Sequence, residues 1–233
     1  MLSDVLHGPQ GSYLDLSTLF PEGVFAYVTL KGFENVAPET LREFLRGRGR
    51  DVLAVHRVDQ VHSAMVVRAD QSPCSADALV GSAAGEAVRV VTADCVPILL
   101  ANADGSRYAA VHAGWKGTLA RIVESAAAMV AGRDVSGITA YVGPAIGPCC
   151  YTVDGERVAA FAREFPGWLP QGGSAPTLDL QSINARMLER AGVPRDAIHV
   201  EERCTACSLG LCCSYRRDGE RAGRMASLVG RTA

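Results

Sequence analysis

The chain has 233 residues, of which 48% are hydrophobic, and it carries a formal net charge of −2 at pH 7. A chain of this length can bury a substantial core as one large domain or two small ones. Because the net charge is small, the composition gives no electrostatic reason to expect binding to nucleic acid or to a membrane surface. No uninterrupted apolar run is long enough to cross a bilayer, so we expect neither kind of partner.

The chain contains eight cysteines, a high count. Its N-terminal segment lacks the basic start, apolar core and cleavage site of a secretory signal, which favours a cytoplasmic location. Cysteines in that compartment are more often thiols or metal ligands than disulfides. The sequence therefore predicts a cytoplasmic protein without a disulfide framework.

Most predicted elements at the start of the chain are strands. Apolar segments predict strands over residues 24–30, 52–58 and 64–68, and a proline opens a short predicted helix over residues 38–46. His62 lies at the junction between the last two of these strands.

The middle of the chain predicts a strand hairpin, because two apolar segments, 88–100 and 107–113, flank the polar turn 102–105. Three side chains interrupt this apolar background: Asp94, Cys95 and His112. A carboxylate in the middle of a buried strand costs several kcal/mol unless something compensates it. If the turn folds the segments onto each other, the thiol and the imidazole meet at one end of a sheet.

The second half of the chain predicts further helices and strands. Helices are predicted over residues 117–131, 154–165 and 179–191, strands over residues 138–142 and 197–201, and a surface loop over residues 167–176. A loop with two Gly-Pro pairs, 143–148, would let a ligand approach its backbone closely. Since strands and helices do not alternate strictly, a mixed sheet with packed helices is favoured over a doubly wound parallel sheet.

His62, Cys95 and His112 together suggest a metal site. One Cys and two His are a common ligand set for zinc that leaves the fourth position open for water or substrate. Each residue taken alone is more often a packing residue, so the interpretation depends on their combination. We predict a catalytic metal site made of these three side chains.

Several segments of the chain resemble, in order and spacing, the family of multicopper polyphenol oxidoreductases or laccase-domain proteins. The segments are Gln60-Val61-His62, Thr92-Ala93-Asp94-Cys95-Val96-Pro97, Val111-His112-Ala113-Gly114-Trp115-Lys116-Gly117, Gly143-Pro144-Ala145-Ile146-Gly147-Pro148 and Ser214-Tyr215-Arg216-Arg217-Asp218-Gly219. The resemblance covers roughly residues 52–224. It implies an α+β layered sandwich, which we expect to form a single domain over residues 1–233.

The resemblance also implies an activity: a zinc-dependent purine nucleoside enzyme. Such an enzyme phosphorolyses adenosine, inosine or methylthioadenosine to the base and ribose 1-phosphate, and deaminates adenosine hydrolytically. The expected partners are thus a small nucleoside and phosphate, and the expected cofactor is zinc, with copper as a possible substitute. Oxidation of phenols is disfavoured, because multicopper oxidases need many histidines and the chain has five.

The motifs suggest roles for three further residues. Asp94 could orient a metal-bound histidine or transfer a proton, or it could accept backbone hydrogen bonds at a strand bend. Arg216 and Arg217 are candidate phosphate ligands, because guanidinium binds phosphate with two parallel hydrogen bonds; the alternative is a surface salt bridge with Asp218 or Glu220. Lys31-Gly32-Phe33 stands where many family members carry an arginine followed by glycines, which leaves phosphate use open.

Two other function classes compete with the nucleoside enzyme. Cys95 could be the nucleophile of an amidase, activated by His112 or His62 and acting on a cell-wall precursor. The protein could also be a non-catalytic accessory protein whose metal site is closed by a fourth ligand, from Asp94 or from the C-terminal cysteines. Those cysteines, Cys204, Cys207, Cys212 and Cys213, could themselves hold a structural zinc, although the adjacent pair would point in opposite directions on a strand. The sequence leaves the preferred nucleoside and the oligomeric state open.

Overall fold

The structure is a computed structural model that describes residues 4–132, 134–169 and 176–233. Two six-stranded mixed sheets form its centre. The first sheet contains, in spatial order, β1 (Val5–Gly8), β2 (Gly11–Asp15), β3 (Val24–Thr29), β12 (Met225–Arg231), β7 (Glu86–Thr92) and β4 (Ala54–His56). The second contains β11 (Ile198–Val200), β10 (Thr139–Val142), β8 (Val96–Ala101), β9 (Tyr108–Ala113), β6 (Ala78–Gly81) and β5 (Val66–Arg68).

The described part of the chain contains six α-helices: α1 (Pro38–Arg46), α2 (Trp115–Leu119), α3 (Ile122–Ala131), α4 (Gly155–Glu164), α5 (Leu180–Ala191) and α6 (Tyr215–Asp218). Of these, α1 to α5 have side chains that pack on the outer faces of the sheets. Aromatic and leucine side chains of α1 pack on the outer face of the first sheet, and α3, α4 and α5 pack on the outer face of the second. No helix in these three described segments combines the length and the apolar character that a membrane crossing requires.

A third apolar layer lies between the sheets and includes Val28 and Val90 from the first and Leu99 and Tyr141 from the second. The order of layers is therefore helix, sheet, sheet, helices, which confirms the predicted α+β layered sandwich. This stacking explains the unbroken apolar runs in the sequence, because strands such as β8 are buried on both faces.

The predicted hairpin is confirmed for β8 and β9, which pair in antiparallel register with Ile98 opposite Val111 and Pro97 opposite His112. The prediction that residues 88–100 form one of its arms is wrong. β7 ends at Thr92 and pairs with β12 and β4 in the first sheet, whereas β8 begins at Val96 in the second. Residues 93–95 pass from one sheet to the other, so Asp94 and Cys95 lie at a sheet crossing rather than inside a strand.

The predicted helix over residues 117–131 is interrupted. Arg121 has a φ of 59° and separates α2 from α3, because a residue in the left-handed region cannot continue a right-handed helix.

The other helix boundaries agree closely with those predicted from the sequence. α1 matches the prediction, and Asp154 and Asp179 cap α4 and α5 by accepting backbone hydrogen bonds. The predicted loop over residues 167–176 lies largely outside the described residues, which omit 170–175.

Candidate functional site

His62, Cys95 and His112 meet at the end of the second sheet. Their potential ligand atoms all lie within 4.8 Å of one another. The Sγ of Cys95 is 3.9 Å from the Nε2 of His62, and the two imidazole rings are nearly perpendicular with centroids 4.8 Å apart. The structure thus brings together the three side chains that the sequence selected as metal ligands.

Asp77 positions two of these ligands, and the sequence analysis did not identify it. Its Oδ1 accepts a hydrogen bond of 2.7 Å from the Nδ1 of His112 and one of 3.0 Å from the backbone N–H of His62. Its Oδ2 accepts from the backbone N–H and the hydroxyl of Ser63, at 2.6 and 2.7 Å, and from the N–H of Val61 at 3.3 Å. A carboxylate only accepts, so Nδ1 of His112 is the donor to Asp77, and Nε2 is the ring nitrogen that could bind a metal on losing its proton.

The backbone around the three ligands is shaped for close contact. His62 has a φ of 58°, in the left-handed region, and the hydrogen bond to Asp77 helps to hold it there. Gly114 follows β9 and leaves open the space beside the ligands. A Cβ at this position would lie 3.1 Å from Cδ2 of His62 and 3.2 Å from Sγ of Cys95, which is tighter than normal side-chain contact.

Electrostatic coupling links the buried members of the site. Burial opposes ionisation of Cys95, but hydrogen bonds and charge from His112 and His62 lower the pKa of its thiol to about 7. Burial also disfavours a charged His112, whereas Asp77 and Cys95 favour it and raise its pKa to about 9. Burial would raise the pKa of Asp77, but hydrogen bonds from His112 and Ser63 lower it to about 2. The site therefore favours a thiolate at Cys95.

The three donors fit a single soft or borderline metal ion. A thiolate and two imidazoles are ligands that zinc and copper accept, and Gly114 leaves room beside them. Within the described residues this group has three members, so neither Asp94 nor a cysteine closes it as a fourth ligand. The arrangement is that of an open site, with one position free for a water or a substrate atom.

Asp94, His62, Cys95 and His112 line one cavity, but no hydrogen bond joins Asp94 to His112. Its Oδ1 accepts from the hydroxyl of Thr205 at 2.6 Å, and its Oδ2 accepts from the backbone N–H of Arg216 at 2.6 Å. The contact that orients His112 is made by Asp77 instead. These contacts match the non-catalytic alternative for Asp94, and its catalytic role stays a prediction.

Arg216 faces the cavity, as its predicted role requires. Its Nη1 donates to the carbonyl of Cys150 and its Nη2 to the carbonyl of Thr152, both at 3.0 Å. The guanidinium lies 5.5 Å from the ring centre of Tyr151. Because a guanidinium has five N–H donors, these contacts fix the group and leave donors for a ligand.

Arg217 points away from the cavity and is used internally. Its guanidinium donates to both carboxylate oxygens of Asp218 and to the carbonyls of Thr205, Ala206 and Cys212, at 2.8 to 3.3 Å. These bonds match its five N–H donors, so phosphate could bind only by displacing them. The contacts favour the salt bridge over the predicted role in substrate binding.

The cavity beside the metal-ligand group has a volume of about 580 Å³. Four guanidinium groups line it: Arg57, Arg89, Arg216 and Arg224. Of these, only Arg216 was predicted from the sequence. Arg89 lies on β7, in the apolar segment whose polar exceptions were expected to be Asp94 and Cys95. A charged side chain inside an apolar run was the signal in the sequence that could have indicated a binding residue here. A cavity of this size matches a small-molecule site.

The four C-terminal cysteines, which the sequence left open as a structural zinc site, do not form one group in the structure. Cys212 and Cys213 are buried in the layer between the sheets, whereas Cys204 and Cys207 lie beside Cys149 and Cys150. The reason is that the loop after β10 and the loop after β11 run side by side, joined by a bridge between Ala145 and Cys204. All eight cysteines are free thiols in the structure.

Two stacked sheets between helical layers, with an open His-Cys-His centre at a sheet crossing, define a metal-capable α+β protein. The chain belongs to the family described as multi-copper polyphenol oxidoreductase laccase, whose model matches residues 35–232. The family resemblance deduced from the motifs is thereby confirmed.

Individual relatives agree with this assignment. Purine nucleoside phosphorylase YlmD of Geobacillus stearothermophilus is 39% identical over 163 residues, which are 66% of this chain and 60% of that protein. Purine nucleoside phosphorylase YfiH of Escherichia coli K12 is 35% identical over 74% of this chain and 72% of its own length. The crystal structure of the Geobacillus YlmD superposes with a TM-score of 0.84 at 29% identity, covering 99% of this chain and 100% of that one. The sequence match thus spans less than two thirds of the Geobacillus relative.

Proposed function

We propose that this protein is a zinc-dependent purine nucleoside phosphorylase, which converts a purine nucleoside and phosphate to the free base and ribose 1-phosphate. The observation that carries the proposal is the cavity of about 580 Å³, which joins the His62, Cys95 and His112 group to four arginines. A nucleoside needs a site of this size, and phosphate needs cationic donors within it. The names of the relatives support the same reaction class.

Arg89 is the strongest candidate for binding phosphate. Its side chain is 8% exposed, and its Nε has no hydrogen-bond partner within the described residues. Burial and the nearby Arg57 lower its pKa to about 10, which leaves it charged at neutral pH but in need of a counter-ion. A phosphate in the cavity would supply that charge. Arg216, held by the carbonyls of Cys150 and Thr152, supplies further donors on the cavity wall.

The zinc ligands in this proposal are His62, Cys95 and His112. A zinc ion bound there would supply a Lewis acid and lower the pKa of a coordinated water. Asp77 holds His112 in the tautomer that ligation requires and holds the His62 backbone in place. The aromatic ring of Tyr151 and the side chain of Ile146 also line the cavity and provide apolar surface for a purine base.

The proposal extends to related substrates. Deamination of adenosine would use the same cavity but a different reacting atom: water would add at C6 of the purine and ammonia would leave, whereas phosphate attacks the anomeric carbon of the ribose. Phosphorolysis of methylthioadenosine would need room for the larger 5′ group. We also place the protein in the cytoplasm, since the eight free thiols fit a reducing compartment. Nucleoside and phosphate are the proposed partners.

The test is product analysis with purified protein. Inosine or adenosine is incubated with and without phosphate, and base, ribose 1-phosphate and inosine are measured. We expect ribose 1-phosphate only when phosphate is present, and its loss in His62→Ala and His112→Ala. Free ribose at a rate independent of phosphate would contradict phosphorolysis.

Variants of the cavity arginines locate the phosphate. Removing one charged hydrogen-bonding group costs about 1.5 to 3 kcal/mol, so Arg89→Gln should raise the KM for phosphate roughly ten- to hundred-fold. The KM for the nucleoside should change much less. Arg163→Gln is the matched control, because Arg163 is an exposed arginine of α4 that does not line the cavity. Equal KM values for phosphate in the two variants would remove Arg89 from the proposal.

One observation favours a second candidate, a thiol hydrolase. Cys95, His112 and Asp77 form a connected series in which the imidazole lies between a thiol with a lowered pKa and a carboxylate. This is the order of a nucleophile, a base and an orienting acid. Amide hydrolysis that persists in metal-free protein and stops when Cys95 is alkylated would support this candidate over the phosphorylase.

A further inference from the structure

Four cysteines gather at a second place in the molecule, outside the cavity just described. Cys149 and Cys150 follow the Gly-Pro loop, and Cys204 and Cys207 follow β11. Their Sγ atoms all lie within 4.8 Å of one another, with 3.7 Å between Cys149 and Cys207 and 3.4 Å between Cys150 and Cys207. The pairs are more than fifty residues apart in sequence, so only the fold brings them together.

We propose that Cys149, Cys150, Cys204 and Cys207 bind a second zinc ion, which has a structural role. In a tetrahedral zinc site with Zn–S bonds of about 2.3 Å, neighbouring sulfur atoms are separated by about 3.8 Å. The separations of 3.7 and 3.4 Å lie near that spacing, and the remaining sulfur pairs lie within 4.8 Å. The four sulfurs are also close enough for a single ion, so a mononuclear site with every position filled by protein is the geometry they favour. This proposal does not depend on the proposed function.

The surrounding backbone is built to approach the sulfurs. The N–H of Gly147 points to the Sγ of Cys204 at 3.2 Å, a hydrogen bond that stabilises a thiolate. A Cβ at Gly147 would lie 3.4 Å from the Sγ of Cys149 and 3.3 Å from the Cβ of Cys204. A glycine here lets the loop close against the cluster.

Charge also favours a metal ion. Four thiols at these separations cannot all ionise without a cation, because neighbouring thiolates repel one another. A divalent ion binds four thiolates, the thiol protons pass to solvent, and the site keeps a net charge of −2. Zinc suits such a set, since it prefers thiolate ligands and needs no redox partner.

The second ion would fix two loops that form the wall of the first cavity. Arg216 donates to the carbonyl of Cys150, and Thr205, next to Cys204, donates to Asp94. Tyr151, next to Cys150, lines the cavity itself. We therefore expect the four-cysteine site to hold Arg216 and Tyr151 in position without touching the substrate.

Metal analysis of the purified full-length chain tests the proposal. We expect two zinc ions per chain in the wild type. The double variant Cys149→Ser/Cys207→Ser should lose the ion of the four-cysteine site and keep the ion at His62, Cys95 and His112. His62→Ala should lose the latter ion and keep the ion of the four-cysteine site. Cys74→Ser is the matched control, because Cys74 belongs to neither group and should leave both ions in place.

A second measurement on the wild type covers the case in which the double variant fails to fold. Cobalt(II) loading should give the strong visible absorption of a tetrahedral tetrathiolate complex, and zinc should protect Cys149 and Cys207 from alkylation until a chelator is added. One ion per chain that is lost completely in His62→Ala would overturn the proposal. So would a disulfide between Cys149 and Cys207 whose reduction allows no second ion to bind. Iron in place of zinc in the four-cysteine site would overturn the assignment of the metal.

Discussion

Asp77→Asn is the sharpest test of how the first site is held together. Asp77 is fully buried, and its two oxygens accept five hydrogen bonds from His112, Val61, His62 and Ser63. An asparagine of nearly the same shape replaces one oxygen by an NH₂ group. If Oδ1 is replaced, the ring N–H of His112 and the backbone N–H of His62 lose their acceptor. If Oδ2 is replaced, the backbone N–H groups of Ser63 and Val61 lose theirs.

Either outcome leaves at least two N–H donors without a charged acceptor, and the ring N–H of the buried His112 is among them when Oδ1 is replaced. At roughly 1.5 kcal/mol each, the expected loss of folding free energy is about 3 kcal/mol. Loss of the carboxylate that orients a ligating histidine should also weaken metal binding by roughly ten- to hundred-fold. Stability is measured by urea unfolding of the metal-free proteins, and metal affinity by competition with a chromogenic chelator.

Asp104→Asn is the matched control, since Asp104 lies in the exposed turn between β8 and β9 and accepts from Ser106. It should change stability by less than about 0.5 kcal/mol and leave metal affinity unchanged. An Asp77→Asn protein with the same urea midpoint and the same metal affinity as the control would refute the role given to Asp77.

Three further predictions concern the same site. Gly114→Ala should weaken metal binding, because its Cβ would lie too close to the Sγ of Cys95. Gly210→Ala is the control, since its Cβ would meet nothing within 4 Å and should leave metal affinity unchanged. Equal metal affinities in the two variants would show that the space beside Cys95 is unimportant. Thr205→Val removes the hydroxyl that donates to Asp94 and should destabilise the protein by about 1 to 3 kcal/mol, while Thr205→Ser should restore most of that loss in thermal unfolding. Removal of metal by a chelator should lower the melting temperature, and readdition of zinc should restore it; an unchanged melting temperature would argue against bound metal.

The sequence predicted the grouping of His62, Cys95 and His112 from two kinds of signal. Cys95 and His112 lie on either side of one turn, so the β8–β9 pairing alone brings them together. His62 was recognised by its residue type and by the family motif. The mixed sheet with packed helices followed from strands and helices that do not alternate strictly, and the layered sandwich followed from the family resemblance.

The residues that the sequence did not reveal depend on long-range packing. Asp77 precedes a short apolar strand, and periodicity does not indicate that it will accept a hydrogen bond from His112, 35 residues away. Cys204 and Cys207 were assigned to the nearest cysteines in sequence, whereas their partners lie in a loop more than fifty residues upstream. The apolar neighbours of residues 93–95 predict a continuous strand there. Hydrophobic periodicity does not show that the chain passes from one sheet to the other at this point.

The placement of β12 in the first sheet has a consequence for the order of assembly during synthesis. Residues Met225–Arg231 lie between β3 and β7, and Leu228 faces both Tyr27 and Arg89 across the sheet. The ribosome makes the flanking strands well before the one that joins them. Until β12 emerges, the β7 edge beside Arg89 is unpaired and exposes backbone N–H and C=O groups that can pair with other chains. Nascent chains halted before residue 225 should therefore be bound by chaperones or aggregate, whatever the state of the metal ligands.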